Sequence, residues 1–266
     1  MAVLVVIPAR YASSRYPGKP LAELRGAGGE ARSLIRRSWD AAMEVEGVER
    51  VVVATDDARI AEAADAFGAE AMMTPTACRN GTERCAAVAR ALGPVYDVIV
   101  NLQGDAPLTP PWFIEALIAA MHADPDCGAA TPVLRCDKSA LEAFQADRRE
   151  GRVGGTTAVF DRSGRALYFS KEVIPYTGKA FAPGESTPIF HHVGAYAYRR
   201  DVLLDYADWA IGPLETWEGL EQLRFLENGA TMLCVEVEAR GRVFWELNNP
   251  GDVPRIEAAL AALGLD

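Results

Sequence analysis

Cysteine is scarce in this chain and follows no pattern. The five cysteines (Cys78, Cys85, Cys127, Cys136 and Cys234) are odd in number and scattered, with no CxxC pair. Neither a disulfide framework nor a zinc site is indicated. No apolar run approaches the roughly 20 residues needed to cross a bilayer, so no membrane insertion is expected. The first apolar stretch has no basic region before it and is interrupted by Arg10, which predicts a strand and not a signal peptide. Lys/Arg-rich runs are also missing. With 27 basic against 37 acidic residues the net charge is −10, which argues against a nucleic-acid scaffold. Internal repeats and low-complexity linkers are absent. A cytoplasmic protein without nucleic-acid partners is the expectation.

Half of the 266 residues are hydrophobic, enough to bury one large core, or one core and a small lobe. The most informative segment comes first. Val3-Leu4-Val5-Val6-Ile7 is a continuous apolar run that empties into Pro8-Ala9-Arg10-Tyr11-Ala12-Ser13-Ser14-Arg15-Tyr16-Pro17-Gly18-Lys19-Pro20-Leu21. A short β-branched run of this kind predicts a buried parallel strand that delivers a loop to the sheet edge. The loop holds Arg10, Arg15 and Lys19 and no acid. Ser13, Ser14 and Gly18 let backbone amides approach a ligand closely. An anion is the natural partner, and phosphates the expected kind.

Strand and helix signals then alternate. Helices are predicted at 33–45 (core positions Leu34, Trp39, Ala42 and Met43), 57–67, 81–92 and 110–121. Strands are predicted at 51–55, 70–73 and 98–102. Gly68 and Gly93 stop two of the helices. This alternation means an α/β domain with a mainly parallel twisted sheet flanked by helices, and its ligands lie outside the carboxyl ends of the strands. The loops at 10–19, 74–84 and 103–107 fall at that edge. The second half is more mixed: a hairpin of 156–160 and 166–169, a long loop at 176–188 and a strand at 192–198. Helices at 200–206 and 214–227, a strand at 232–237 and a closing helix at 253–263 follow. A single domain is expected: a nucleotide-binding part over about 1–130, a smaller mixed lobe over about 131–245, and a returning segment, 246–266.

Within this frame certain residues carry chemistry. Asp105 follows a buried strand, where a carboxylate is expensive unless paired or metal-bound. A hard divalent cation among phosphates is one partner, and a turn cap through Gly104 is the equal alternative. Asn80-Gly81-Thr82-Glu83-Arg84 reads as a helix N-terminus able to meet an anion or a base carbonyl, or as an ordinary cap. Glu215, Glu218, Glu221 and Gln222 lie at helical spacing, a polar pocket face among Trp217, Leu220, Leu223 and Phe225, or else a solvated one. The pair His191 and His192 is more often structural than catalytic.

Together these segments resemble the 3-deoxy-D-manno-octulosonate (Kdo) cytidylyltransferase family. Residues 8–21 resemble its CTP loop, Val53-Ala54-Thr55-Asp56 its second strand and turn, and Gly81-Thr82-Glu83-Arg84 its nucleotide-recognising segment. Val100-Asn101-Leu102-Gln103-Gly104-Asp105-Ala106-Pro107 is similar to the strand that ends in its metal aspartate. Ala166-Leu167-Tyr168-Phe169-Ser170, residues 192–199, Pro213-Leu214-Glu215 and Leu220-Glu221-Gln222-Leu223-Arg224 resemble its sugar-acid lobe.

The resemblance implies transfer of CMP from CTP to a Kdo-type acid, for lipopolysaccharide, in a cytoplasmic homodimer that uses Mg2+. It implies Arg10, Lys19 and Asp105 as catalytic residues. Arg10, Ser13, Ser14, Arg15, Lys19, Asn80, Gly81, Thr82, Arg84 and Gln103 would bind the nucleotide. Lys171, His192, Tyr196, Glu218, Glu221 and Gln222 would bind the sugar acid, and Asp105 and Asn248 the metal.

The chain departs from the family pattern in places. Asn248 stands where the family's Val-Asp-Thr-Pro-Glu-Asp segment has its second metal Asp, with Glu246 on the same strand face as a possible substitute. Thr157 replaces a lysine, Lys171 an arginine and His191 an arginine, and residues 25–32 carry extra Gly and Ala. These changes raise two alternatives: a modified acid such as an 8-amino-Kdo-like one, and a non-catalytic nucleotide-binding paralogue.

Overall fold

Val3 to Ile7 form a strand with both faces buried, which is why the run needs no polar alternation. The computed structural model describes residues 1–12, 16–105, 107–153, 155–242, 247 and 249–266. In chain order the first half runs β1 (Val3–Ala9), β2 (Glu23–Arg25), β3 (Ala31–Ser33), α1 (Leu34–Met43), β4 (Arg50–Thr55), α2 (Ala58–Ala66), β5 (Glu70–Met73), α3 (Gly81–Leu92), β6 (Val98–Leu102) and α4 (Pro111–Ala123). The second half runs β7 (Ala129–Asp137), α5 (Lys138–Arg149), β8 (Thr156–Phe160), β9 (Ala166–Ser170), β10 (Ser186–His192), β11 (Ala195–Arg199), α6 (Arg200–Asp208), α7 (Pro213–Glu218), α8 (Leu223–Glu227), β12 (Met232–Glu236) and α9 (Val253–Leu263).

The expected parallel sheet is present. β5, β4, β1 and β6 lie side by side in parallel, so their carboxyl ends share one edge. The sheet continues through the antiparallel strands β11, β7, β10, β8 and β9, with β12 parallel to β7. β2 and β3 form a small separate hairpin.

Apolar clusters cover both faces. Leu4, Val6 and Ile99 pack with α3, α6 and α8 on one side. Val5, Ile7, Val98 and Val100 pack with α1, α2 and α4 on the other. Truncating one such leucine to alanine costs about 2–5 kcal/mol. A third cluster joins Leu24, Leu34, Leu108, Leu247, Ile256 and Leu260, holding α9 against the hairpin. Capping sets the helix starts. Ser33 accepts from Arg36 N, Asp57 from Arg59 N and Asn80 from Glu83 N, each bond worth about 1 kcal/mol.

Four sequence expectations are corrected. Met43 is exposed, because it lies one position beyond the buried stripe of Leu34, Ile35, Ser38 and Ala42. The strand expected over 192–198 is two strands, parted at Val193-Gly194, where Ala195 N donates to Val193 O at 2.7 Å. The loop expected over 176–188 ends early, since β10 begins at Ser186. The helix expected over 214–227 is also two, α7 and α8, because Gly219 adopts a left-handed conformation (φ 61°). Elements β2, β3, β7 and α5 were not foreseen from the sequence.

Candidate active site

The loop after β1 turns back on itself where Gly18 N donates to Tyr11 O (2.9 Å). Arg59, at the start of α2, lies 3.3 Å over the Tyr11 ring, a cation–π contact that presses on the loop from outside. Lys19 opens a short 3-10 turn, Lys19–Leu21. Its ammonium reaches across to Asp105 Oδ2 at 2.6 Å. Arg10, directly after β1, is exposed. Leu247 N donates to the Asp105 carbonyl (2.9 Å), tying the returning segment to the same point. Ser13, Ser14, Arg15, Glu246 and Asn248 lie outside the described residues.

The N-terminus of α3 faces this edge. Gly81 packs so closely that a Cβ there would lie 3.2 Å from Pro8 Cγ and from Asn101 Nδ2, and 3.4 Å from Gln103 Nε2. Asn80 caps the helix and donates to Tyr206 Oη at 2.8 Å, and Thr82 Oγ1 bonds Tyr198 Oη at 2.8 Å. The anion at this helix start is a protein group. Glu221 accepts from Thr82 N (3.2 Å) and Gln103 Nε2 (3.4 Å). Burial raises its pKa above the ordinary carboxylate value, against the lowering effect of the Thr82 and Gln103 hydrogen bonds. Arg84 is buried against Asp56 at 3.2 Å and donates to Thr74 Oγ1. It therefore braces the ends of β4 and β5, and its guanidinium does not lie open to a ligand.

The sugar-side residues gather on the other flank of Glu221. Glu218 accepts from Ser170 Oγ (2.7 Å), Lys171 N (2.9 Å) and Tyr168 Oη (3.4 Å). Lys171 Nζ lies 3.0 Å from the point a Gly219 Cβ would occupy. His192 is buried, bonded to Thr131 Oγ1 (2.9 Å), Thr156 Oγ1 (3.0 Å) and Gln222 Nε2 (3.4 Å). Tyr196 Oη donates to Gln222 Oε1 at 3.3 Å. Burial, aided by the neighbouring His191, lowers the His192 pKa to about 3. Burial, with Arg148 nearby, lowers that of His191 to about 4. Both rings are neutral near pH 7.

The helical face expected of Glu215, Glu218 and Glu221 does not exist, because α7 ends before Glu221. The three carboxylates serve three partners. Glu215 receives both Arg224 Nε and Nη2 at 2.6 Å, Glu218 binds the end of β9, and Glu221 binds the start of α3.

A family profile described as Cytidylyltransferase matches residues 4–236. A 3-deoxy-manno-octulosonate cytidylyltransferase of Maricaulis maris is 46% identical over 99% of both chains. This chain belongs to the 3-deoxy-manno-octulosonate cytidylyltransferase family. It is accordingly a nucleotidyltransferase. A relative of the same name from Myxococcus xanthus is 40% identical, covering 98% of this chain and 97% of its own. A solved structure of CMP:2-keto-3-deoxy-manno-octonic acid synthetase complexed with CTP superposes with a TM-score of 0.84 at 33% identity, over 99% of this chain and 100% of the other. A 4-diphosphocytidyl-2C-methyl-D-erythritol synthase from Anaerococcus prevotii, at 11% identity and TM-score 0.59, covering 97% and 98%, shares the fold alone.

Set in this cytidylyltransferase framework, the lost basic positions look different. His191 pairs in register with Thr157, and it packs edge-on against Phe144 of α5 (5.1 Å). Neighbouring residues of a strand face opposite sides, so His191 points away from His192 and Gln222. Thr157 Oγ1 is spent on the backbone, donating to Glu172 O (2.7 Å) and accepting from Ile174 N (3.3 Å). A sugar pocket stripped of charge was the reason for considering another acid, and these two positions give it no support.

Sequence reasoning placed two residues of this cytidylyltransferase within its motifs but gave them no role of their own. Arg224 is wholly buried and joins Glu215 to Glu83 of α3 (3.0 Å). Asn101 is a buried amide inside an apolar strand, and that contrast was its only signal.

Proposed function

We propose that this chain transfers the cytidylyl group of CTP to Kdo, giving CMP-Kdo and pyrophosphate. The observation that carries the reading is the meeting of Lys19 and Asp105 at 2.6 Å, at the sheet edge that also holds Arg10 and the start of α3. Full-length relatives carrying that name support the substrate pair. The anomeric hydroxyl of the sugar acid attacks the α-phosphorus of CTP. A new O–P bond forms, the bond to the β-phosphate oxygen breaks, pyrophosphate leaves, and the hydroxyl proton is released to water.

Positioning and charge do most of the work. Arg10 and Lys19, with Ser13, Ser14 and Arg15, hold the triphosphate. Asn80, Gly81, Thr82 and Gln103 contact the nucleoside, with Arg84 bracing them from behind. Lys171, His192, Tyr196, Glu218, Glu221 and Gln222 form the sugar-acid pocket. Neutral His192 serves there as a hydrogen-bonding anchor and not as a proton donor of charge.

The donor chemistry fits Mg2+, which takes one or two protein carboxylates and completes its shell with phosphate oxygens and water. Asp105 offers a part-exposed carboxylate beside a phosphate-binding cation, and no three His, Cys, Asp or Glu among the described residues cluster as a self-sufficient site. Asp105 would hold the ion, with Asn248 as its second ligand. When bound, the ion neutralises phosphate charge.

We further propose a cytoplasmic homodimer acting in lipopolysaccharide synthesis. The five free thiols suit a reducing compartment. β9 ends the sheet and exposes Leu167, a surface that suits cover by a second copy.

A coupled pyrophosphate-release assay with CTP, Mg2+ and a panel of sugar acids tests the reading. Release that depends on Kdo is expected. Release with other acids and not with Kdo would overturn it.

A further inference from the structure

Asn101 occupies the fourth position of β6, among Val98, Ile99, Val100 and Leu102. It is 0% exposed, and neither its Nδ2 nor its Oδ1 has a hydrogen-bond partner among the described residues. Almost all buried polar groups are bonded, so an exception calls for a cause. A leucine of the same branched shape would fill the place without an unmet donor and acceptor.

The surroundings suggest what the amide is for. Asn101 sits in register with Val6 on one side and Tyr196 on the other. Residues two apart in a strand share a face, so Asn101 lies on the side from which Gln103 reaches Glu221. The Gly81 backbone covers both amides, with Asn101 Nδ2 at 3.2 Å and Gln103 Nε2 at 3.4 Å from its Cβ position. Glu221 in turn accepts from Thr82 N, one residue into α3. Asn101 therefore lies directly beneath the joint between β6, the start of α3 and the turn carrying Glu221.

We propose that Asn101 is a positioning residue for nucleotide binding: its amide is unpaired in the free protein and finds its partners when the start of α3 and Gln103 adjust around CTP. The cost of an unmet amide in one state is offset by hydrogen bonds gained in the other, so part of the folding stability is traded for nucleotide affinity. The inference rests on the cytidylyltransferase reading above and deepens it, since nothing there requires a residue that the ligand does not touch.

Asn101→Leu tests it. Removing an unmet buried amide should raise the melting temperature of the free protein by about 2–4 °C. The same change should raise KM for CTP about tenfold or more, the loss of one hydrogen-bonded contact made only in the bound form. KM for the sugar acid should stay near the wild-type value. A lower melting temperature would show the amide already bonded in the free protein and overturn the proposal. Unchanged KM for CTP with a raised melting temperature would overturn it too. If the wild type itself shows no turnover, the functional reading fails, and the thermal shift on adding CTP then decides Asn101 alone: smaller in the variant supports its role, equal refutes it. Should Asn101→Leu not fold, crystal structures of the wild type with and without CTP decide. New partners for the amide only with CTP support the proposal, and the same partners in both overturn it.

Discussion

The Lys19 ammonium and the Asp105 carboxylate meet at 2.6 Å, although the two residues stand 86 apart in sequence. The contact arises because β1 and β6 are parallel neighbours and each hands a loop to the same edge. A cation and an anion are thus held side by side where a triphosphate and a divalent ion would need both. The pair is part-exposed, with side chains 14% and 28% accessible, so its role in folding is small.

Lys19→Ala and Asp105→Ala should therefore separate function from stability. Each should lower kcat/KM for CTP by roughly 10²-fold or more. Each should change unfolding free energy by about 1 kcal/mol or less, the range of exposed ion pairs. Steady-state kinetics beside urea denaturation checks both halves. A variant with intact turnover would remove its residue from the site.

Acid should destabilise the protein through the paired histidines. Their folded pKa values, about 4 for His191 and about 3 for His192, lie below the ordinary 6.5. The unfolded chain binds more protons in the window between, so stability is fully present above pH 6.5 and is lost as pH falls toward 4 and then 3. His191→Phe should flatten the melting-temperature profile between pH 6.5 and 4. The pH profile of kcat/KM should show no histidine step near 6.5 from His192. Glu221 acts in the opposite sense. Its raised pKa means that ionisation costs stability as pH rises through the folded value, so Glu221→Gln should raise the melting temperature at pH 7 more than at low pH.

Arg224 is 0% exposed and serves Glu215 and Glu83 together. Arg224→Leu would leave the nearly buried Glu215 carboxylate without its cation, while Glu83 keeps Arg79, a loss of about 3 kcal/mol. Chemical denaturation measures it. A loss under about 1 kcal/mol would mean that the network is only a surface tie.

Gly219 separates α7 from α8 in a left-handed conformation, with Lys171 Nζ 3.0 Å from the point a Cβ would occupy. Gly219→Ala meets both the backbone strain and the ammonium, so a destabilisation of about 1 kcal/mol or more is expected. Lys171 must move, and KM for the sugar acid should rise while KM for CTP holds. Parallel kinetics with each substrate varied reads the difference.

Much of this was legible in the sequence where one signal had one meaning. The apolar runs of β1 and β6 could only be strands buried on both faces, and the polar residues just past them, Lys19 and Asp105, had to reach the sheet edge. Other signals had two meanings. The apolar pattern runs across Val193-Gly194 without pause, so the break between β10 and β11 is decided by pairing to β7 and not by local preference. Glu215, Glu218 and Glu221 mimic a helical stripe, and the stripe fails because one glycine turns the chain between them. Thr157 and His191 looked like pocket positions until strand register turned His191 toward α5. Arg224 and Asn101 stood inside recognised motifs without a role, because their importance lies in partners, or in a lack of them, that only packing reveals.

Phosphorus NMR of the wild-type protein with CTP, Kdo and Mg2+ tests the central claim most directly. The three CTP resonances should give way to pyrophosphate and a single phosphodiester in equal amounts, and only when Kdo is present. Unchanged CTP, or CDP with inorganic phosphate, would contradict cytidylyl transfer by this chain.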